Sequence, residues 1–388
     1  MTQSTVAFSE NPSAREAGLQ IGNKIKEVFG NNKPSVVILF AASNYDYKTL
    51  LNSIQESCNP ELLVGSSSAG EFTSASFATE AVSAVAIYST EMKFSAGIGI
   101  GIKGDRQNAA DALYASLTGS GKYKYKYHSA LLMADALSGH TDEIIDILTE
   151  KTLGAYQFFG GGAGDNGKFE KTFVFMGNEV ASDGAVILEI LSNKPVGIGV
   201  KHGWKPAGKK MRVTSSEGMR LVSLNAMPAV EAFEEYAELT GQHFDPENPI
   251  PFFLHNIIGI ELDGGYKLRV PLAVNEDGSL LCASDIPVGA TISIMKIENA
   301  DATAAALSAT VSALHQLKEN KPSVALFFDC VATRLRMGDE FGIELNKVKE
   351  TLQNTKYAGC NTYGQVARVE GQFSGFHNCT AVVCVIPE

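Results

Sequence analysis

The chain has 388 residues, 45% hydrophobic and 19% charged, with a net charge of −11. That mix describes a globular protein with material for more than one core, and the acidity argues against nucleic acid or an anionic membrane as partner. No apolar run approaches the ~20 residues of a membrane helix, and Met1 to Phe8 lacks the basic-then-apolar plan of a secretion signal, so a cytoplasmic location is expected.

In chain order, Thr5 to Ser9 reads as an edge strand, and Asn11-Pro12 as the cap of a helix reaching Phe29. Ala14, Ala17, Ile21, Ile25 and Val28 recur on one face of that helix, and Gly30 stops it. Then comes Lys33-Pro34-Ser35 followed by the apolar run Val36 to Phe40, too continuous for an amphipathic helix and so a buried strand. The same text returns as Lys321-Pro322-Ser323 and Val324 to Phe328. In the first copy Asp46 to Ser57 reads as a crossover helix, which makes its flanking strands parallel. The strand after each crossover ends in a glycine-bracketed loop, Gly65 to Gly70 in one copy and Gly359 to Gly364 in the other, and Ala81 to Tyr88 and Thr380 to Ile386 close the copies.

Between the copies, Phe94 to Ile102 is expected as a strand and Arg106 to Leu117 as a helix. Lys122 to Tyr127 alternates lysine with tyrosine, which fits a linker or edge segment better than a base-stacking surface. A looser third echo follows: a strand from Ser129 to Asp135, a helix from His140 to Lys151, and a strand entering Gly160 to Gly164. That glycine cluster lacks the Gly-Lys-Ser/Thr ending of a nucleotide loop and reads as a tight chain reversal. Strands at 171–175, 185–191, 196–200 and 211–214 and a helix at 228–239 come next. Pro246, Pro249 and Pro251 deny a regular element to residues 241–256, which places the expected boundary between domains 1–245 and 246–388. Beyond it lie strands at 257–262, 266–274, 280–283 and 290–297 and a strong helix from Ala302 to Leu317. The whole reads as α/β: two pseudo-repeated halves with mixed sheets and helices outside.

Ligands in α/β proteins gather beyond the carboxyl ends of parallel strands. That position singles out two loops of small polar residues: Ser66, Ser67, Ser68, Gly70 and Glu71 in the first copy, and Cys360, Asn361, Thr362 and Tyr363 in the second. At the second copy's strand end stand Cys330 and Arg334, the latter a planar cation suited to a carboxylate or phosphate, and His377 precedes the last strand. The six cysteines show no Cys-x-x-Cys and read as small buried hydrophobes; the seven histidines show no metal-ligand spacing, although a single-histidine haem needs none. Cys330 with His377 could make a thiol nucleophile and base, an alternative that ranks below ligand binding because no local signature supports it.

At these residues the chain resembles the FIST family (F-box and intracellular signal transduction proteins). The likeness rests on Val36 to Phe40, Val64-Gly65-Ser66 through Gly70-Glu71, Phe159-Gly160-Gly161 through Asp165, Asp183 to Val186 and Gly203-Trp204-Lys205-Pro206. It continues through Val213-Thr214, Cys330 with Arg334, Ala358-Gly359 through Gly364, and His377-Asn378. Gln365 departs from the pattern, standing where the first copy has Glu71, so a role needing a second carboxylate there is in doubt. The resemblance implies a non-enzymatic sensor of a small molecule, with an N-terminal part at about 34–240 and a C-terminal part at about 250–385. It further implies output through a partner histidine kinase, chemoreceptor or cyclic-di-GMP enzyme. Free-standing bacterial members of this size include haem-binding nitric oxide sensors, so haem b is one expectation and an amino acid or other metabolite without haem is the other. With no output segment recognisable in the sequence, a pocket whose occupancy changes the packing of the halves is the expected mechanism.

Overall fold

Every residue of Val36–Ala41 is buried, which is what its unbroken apolar run demands of a strand covered on both faces. The computed structural model describes residues 1–119, 124–369 and 374–388. In it this strand pairs in parallel with Leu62–Ser67 across the crossover helix Tyr47–Cys58, with Asp46 as its N-cap. Thr2–Ser9 and Val82–Ser89 complete the sheet on the other side, both antiparallel.

The same unit is built three times. Tyr127–Ala134 and Gln157–Gly162 are parallel partners in the second unit, flanked by Gly184–Ser192 and Lys93–Ile100. In the third, Pro322–Cys330 and Lys356–Thr362 are parallel, flanked by Ala381–Pro387 and Gly197–Lys201. What the sequence carries as a loose echo is thus a full copy. Gly160, Gly161 and Gly162 are extended strand residues, not the tight reversal expected of them, because glycines let neighbouring backbone press against them. A Cβ on Gly160 would stand 2.2 Å from the Leu132 carbonyl oxygen; on Gly65 and Gly359 it would stand 1.8 Å from those of Leu39 and Phe327.

The units interlock by exchange. The short hairpin after each unit's second parallel strand leaves its own sheet: Glu71–Thr73 pairs with Lys356–Thr362 of the third unit. Val174–Met176 pairs with Leu62–Ser67 of the first, and Gln365–Arg368 with Gln157–Gly162 of the second. The three sheets turn one face inward around a shared core that includes Ile38, Phe40, Leu131, Phe159, Leu326 and Phe328. Phe40 meets Phe328 edge to face with ring centres 5.5 Å apart. Each outer face is covered by helices, Ala14–Phe29 and Tyr47–Cys58 on the first, Ile102–Ala115 and Thr141–Lys151 on the second, Asn299–Gln316 and Phe341–Leu352 on the third. The α/β class with mixed sheets and outer helices is therefore what the chain adopts.

A nine-stranded antiparallel sheet is inserted into the third unit, from Lys205–Pro206 to Thr291–Lys296, with the helix Ala229–Thr240 on it. Residues 241–256 do hold structure, against expectation: Pro249 precedes a one-turn helix, Ile250–Phe253, where its missing N–H leaves nothing unpaired, and Phe253 packs on Phe233 with ring centres 5.4 Å apart. Two smaller expectations also change. Ser13, not Asn11, caps the first helix, because the Asn11 side chain accepts the Ser13 N–H at 3.0 Å. Val28 faces solvent, lying to the side of the apolar stripe that ends in Ile25 and Phe29. Lys122 and Tyr123 of the alternating tract lie outside the described residues, and Tyr127 opens a strand.

Candidate ligand-binding site

The loops that follow the second parallel strands meet at one end of the core and hydrogen-bond in a ring. Ala69 N–H donates to the Asn361 carbonyl at 3.0 Å and Asn361 N–H to that of Gly70 at 2.8 Å. Gly164 N–H reaches the Ser67 carbonyl at 3.0 Å, and Tyr363 N–H that of Gly162 at 3.0 Å. The convergence of the two sequence-selected loops is real, with the glycine-rich loop of the second unit as the third member.

Most of the polar groups in these loops satisfy one another. Glu71 accepts from Ser68 Oγ at 2.6 Å, from Gly70 N–H at 3.2 Å and from Ala81 N–H at 3.0 Å. Burial pushes its carboxyl up to about 7, against the pull of those donors and of Arg334. In the third unit Gln365 Oε1 accepts Thr380 N–H at 3.1 Å and its Nε2 donates to Thr362 Oγ1 at 2.8 Å. Gln365 thus makes the contacts of Glu71 with one direction reversed. In the second unit Asp165 takes the Tyr363 hydroxyl and three backbone N–H groups, of Phe169, Glu170 and Lys171, at 2.7–2.9 Å. Burial raises its carboxyl, but these donors outweigh it and hold it below the usual carboxylate range. Ser67 Oγ accepts Phe173 N–H, whereas Ser66 Oγ and the Asn361 side-chain amide are fully buried without a hydrogen bond among the described residues. Arg334 is half-buried beside Glu71, its Nε buried and without a hydrogen-bond partner among the described residues.

A cavity of about 240 Å³ opens beside this ring rather than inside it. Its floor is Cys330, Val331, Ala332, Tyr363, Gly364 and Asn378; its roof is Val270, Leu272, Leu281, Cys282 and Ala283 of the inserted sheet. Leu137 and Phe169 of the second unit close the sides, and Phe169 stacks on Tyr363 with ring centres 4.3 Å apart. The walls are mainly apolar with a few convergent polar groups, the usual make-up of a small-molecule site. Asn378 Oδ1 has no hydrogen-bond partner among the described residues although its residue is 2% exposed.

Cys330 is the chemically distinct member of the lining. The Cys379 thiol donates to it, as do the backbone N–H groups of Ala332 and Cys379 and the Gln365 amide, and together they bring its thiol down to about 6 against burial. None of these donors is His377. That imidazole donates to the Ala367 carbonyl, and burial, then Lys267 and Arg269, push it down to about 3, so it is no base for Cys330 at neutral pH. The buried Asp329, next to Cys330 in sequence, hydrogen-bonds Glu344, an arrangement that needs a shared proton; burial lifts Glu344 to about 7 and Asp329 well above its ordinary value.

The inserted sheet is tied to the second unit by Asp142. Its carboxylate accepts Arg269 Nη2 at 2.7 Å, Lys267 Nζ at 2.9 Å and Phe376 N–H at 2.6 Å. Burial works to raise Asp142, but Arg269 and Lys267 outweigh it and hold the carboxyl low. Among the described residues, His140, Glu143 and Asp285 could together face a metal ion, but the Arg106 guanidinium already neutralises Glu143.

The residues here do not fit a haem. Among the described residues no histidine lines the cavity, and its volume of 240 Å³ lies below the roughly 300–1,000 Å³ of a site for drug-sized ligands. A second hollow of 570 Å³ is edged by His128 and Arg368, but its walls are polar and His128 Nε2 is engaged with the Tyr125 carbonyl at 3.1 Å.

Of the sequence-selected residues, the structure brings Cys330 and Tyr363 to the cavity. Ser66, Ser67, Ser68, Gly70, Glu71, Cys360, Asn361 and Thr362 lie buried in the ring of loops, Arg334 stands over Gly70, and His377 sits in the strand Ser374–His377. Sequence reasoning met Asn378 only within the family likeness and Cys379 only as one of six buried cysteines, and it missed the entire roof, whose apolar residues read as ordinary strands.

A family model described as "FIST N domain" matches residues 35–227, and one described as "FIST C domain" matches 232–368. The chain belongs to the FIST family. FIST domains are ligand-sensing modules of signalling proteins. This FIST chain is 28% identical over 167 residues to an uncharacterized protein of Methanocaldococcus jannaschii, a match covering 40% of the chain and 32% of that relative. The match thus spans about a third of the relative's length. Among solved structures, cyanuric acid hydrolase from A. caulinodans aligns over 100% of this chain and 99% of its own, at 7% identity and a TM-score of 0.31. PurLQS from Thermotoga maritima aligns over 100% of this chain and 72% of its own, at 10% identity and a TM-score of 0.24. Likeness at that level carries no argument about this FIST chain. No helix among the described residues is long and apolar enough to cross a membrane.

Proposed function

We propose that this protein is a sensor whose cavity takes a small, mostly apolar ligand without haem, and that occupancy alters how the inserted sheet sits on the three-unit core. The observation that carries the reading is the cavity's shared ownership: floor from the core, roof from the inserted sheet. A ligand that touches both favours one arrangement of the two and so can bias an equilibrium between arrangements. The output passes to a partner, with a histidine kinase, a chemoreceptor or a cyclic-di-GMP enzyme as the classes the family suggests. The test is a thermal-shift screen with small apolar ligands bearing one hydrogen-bond donor, run on the wild type and on Leu272→Trp, which fills the cavity. A ligand bound by the folded state alone at about 100-fold its Kd stabilises by about 2.7 kcal/mol; the shift is expected in the wild type and absent in the variant. No shift with any ligand, or an equal shift in the variant, overturns the reading. Haem-based nitric oxide sensing is tested separately by adding hemin, and a stoichiometric Soret band would restore it.

A second reading, a thiol-dependent enzyme using Cys330, is favoured by one observation: the residue lines the cavity wall, where its surroundings bring the thiol down to about 6. Alkylation of Cys330 near neutral pH, with turnover of a thioester or similar acyl compound, would support it; an inert Cys330 removes its nucleophile.

A further inference from the structure

Three observations coincide at the cavity floor. Cys330 lines the cavity and packs in one buried cluster with a second cysteine, Cys379. Asn378, the neighbour of Cys379, lines the same space with a buried carbonyl oxygen that has no donor among the described residues. The remaining walls, Leu137, Val270, Leu272 and Leu281, are aliphatic. A ligand that answers all three has an apolar body, one hydroxyl-type donor and an atom that a thiolate attacks.

We propose that Cys330 and Cys379 form a dithiol centre that reduces an organic hydroperoxide held in this cavity and is itself converted to the Cys330–Cys379 disulfide. The inference rests on the cavity being the ligand site and names the class of ligand. The hydroperoxide O–H donates to Asn378 Oδ1 while its hydrocarbon lies along the aliphatic walls. The Cys330 thiolate attacks the terminal oxygen and the O–O bond breaks. A sulfenic acid forms on Cys330, and the departing alkoxide takes the proton of the Cys379 thiol and leaves as the alcohol. The Cys379 thiolate then attacks the Cys330 sulfur, the S–S bond forms, and hydroxide leaves, becoming water with the proton Cys330 had given to solvent. The two sulfurs supply the two electrons that the peroxide accepts. Cys282, in the opposite wall, is an internal control: burial pushes its thiol up to about 12, so it stays protonated and inert.

The experiment exposes the reduced full-length chain to one equivalent of cumene hydroperoxide or of hydrogen peroxide, then blocks free thiols and maps the peptides. Expected with the organic peroxide is loss of two of the six thiols, a Cys330–Cys379 linkage and an intact Cys282. Oxidation by hydrogen peroxide is expected to be at least about 10-fold slower, since each buried methylene is worth roughly a factor of four in binding. Cys379→Ser is expected to accumulate a dimedone-reactive sulfenic acid on Cys330, and Cys330→Ser to consume no peroxide. Equal rates with the two peroxides, linkage to Cys282, or a free Cys330 and Cys379 after treatment would each overturn the proposal in the wild type, whatever the variants' folding. The non-oxidising product, cumyl alcohol, separates this failure from that of the sensor reading. Stabilisation by the alcohol without oxidation sinks the dithiol alone, whereas the sensor reading falls with it only if no ligand of the thermal-shift screen stabilises the chain either.

Discussion

Glu71 and Gln365 occupy equivalent places, and the reason both work is visible one hydrogen bond at a time. Each must present an acceptor to the N–H that opens the returning strand, Ala81 or Thr380, and a second group to a hydroxyl three residues back, Ser68 or Thr362. A carboxylate accepts from that hydroxyl and an amide donates to it. The departure noted in the sequence was therefore legible as a position and illegible as a role, because which way a hydroxyl proton points leaves no trace in residue order. The pair Asp329 and Glu344 lies outside any motif, yet it sets a testable pH dependence. Glu344 rises from 4.5 to about 7 on folding, first through burial. A raised carboxyl contributes stability that is fully present below about pH 4.5 and lost as the pH rises through about 7. The wild type is expected to lose on the order of 3 kcal/mol at this group between pH 5 and 8. In Glu344→Gln, whose amide donates to Asp329 without titrating, most of that loss should vanish. Urea midpoints of the two proteins across that range measure the difference; parallel curves would refute the shared-proton pair.

Glycine does at the level of elements what apolar periodicity cannot: it sets how closely one element lies on another. The strand Gly197–Lys201 carries the helix Asn299–Gln316 so tightly that a Cβ on Gly199 would stand 1.8 Å from the Ala309 carbonyl oxygen. That helix answers with Ala306, Ala309 and Ala313 on its buried face. Gly199→Ala is expected to cost about 3 kcal/mol or more, since the obstacle is backbone and cannot rotate away. Gly342→Ala, in the helix Phe341–Leu352 with open space around it, should instead stabilise by about 0.5–1 kcal/mol. Thermal or urea unfolding of both checks the contrast, and a harmless Gly199→Ala would refute the close packing. The twin Lys-Pro-Ser strands revealed two units because their apolar runs are long. The third was blurred because Gly160–Gly162 carry no side chains to mark a strand, and the exchanged hairpins stayed hidden because three residues such as Glu71–Thr73 are too short to show a period. The inserted sheet separates Gly197–Lys201 from the other strands of the third unit, so that unit's membership was not readable from residue order.

At the scale of the whole molecule, Asp142 ties the inserted sheet to the second unit through Arg269 and Lys267. Arg269 is 2% exposed, so Asp142→Ala would leave its charge buried beside Lys267 without the carboxylate; a loss of about 3–5 kcal/mol is expected. If the cavity reports on the seating of the sheet, the same variant should bind the cavity ligand less tightly, though Asp142 does not line it. Unchanged affinity would separate the sheet's position from the site. Nothing in the sequence paired Asp142 with Arg269, since residues 127 apart show no spacing rule. The measurement that bears most directly on the account is amide hydrogen exchange of the full-length chain with and without a ligand that raises its melting temperature. Protection should increase in 268–283, 330–332, 363–364 and 378–379 and stay flat in the helices Ala14–Phe29 and Tyr47–Cys58. Protection that rises elsewhere, while the roof and floor of the cavity remain unchanged, would contradict it.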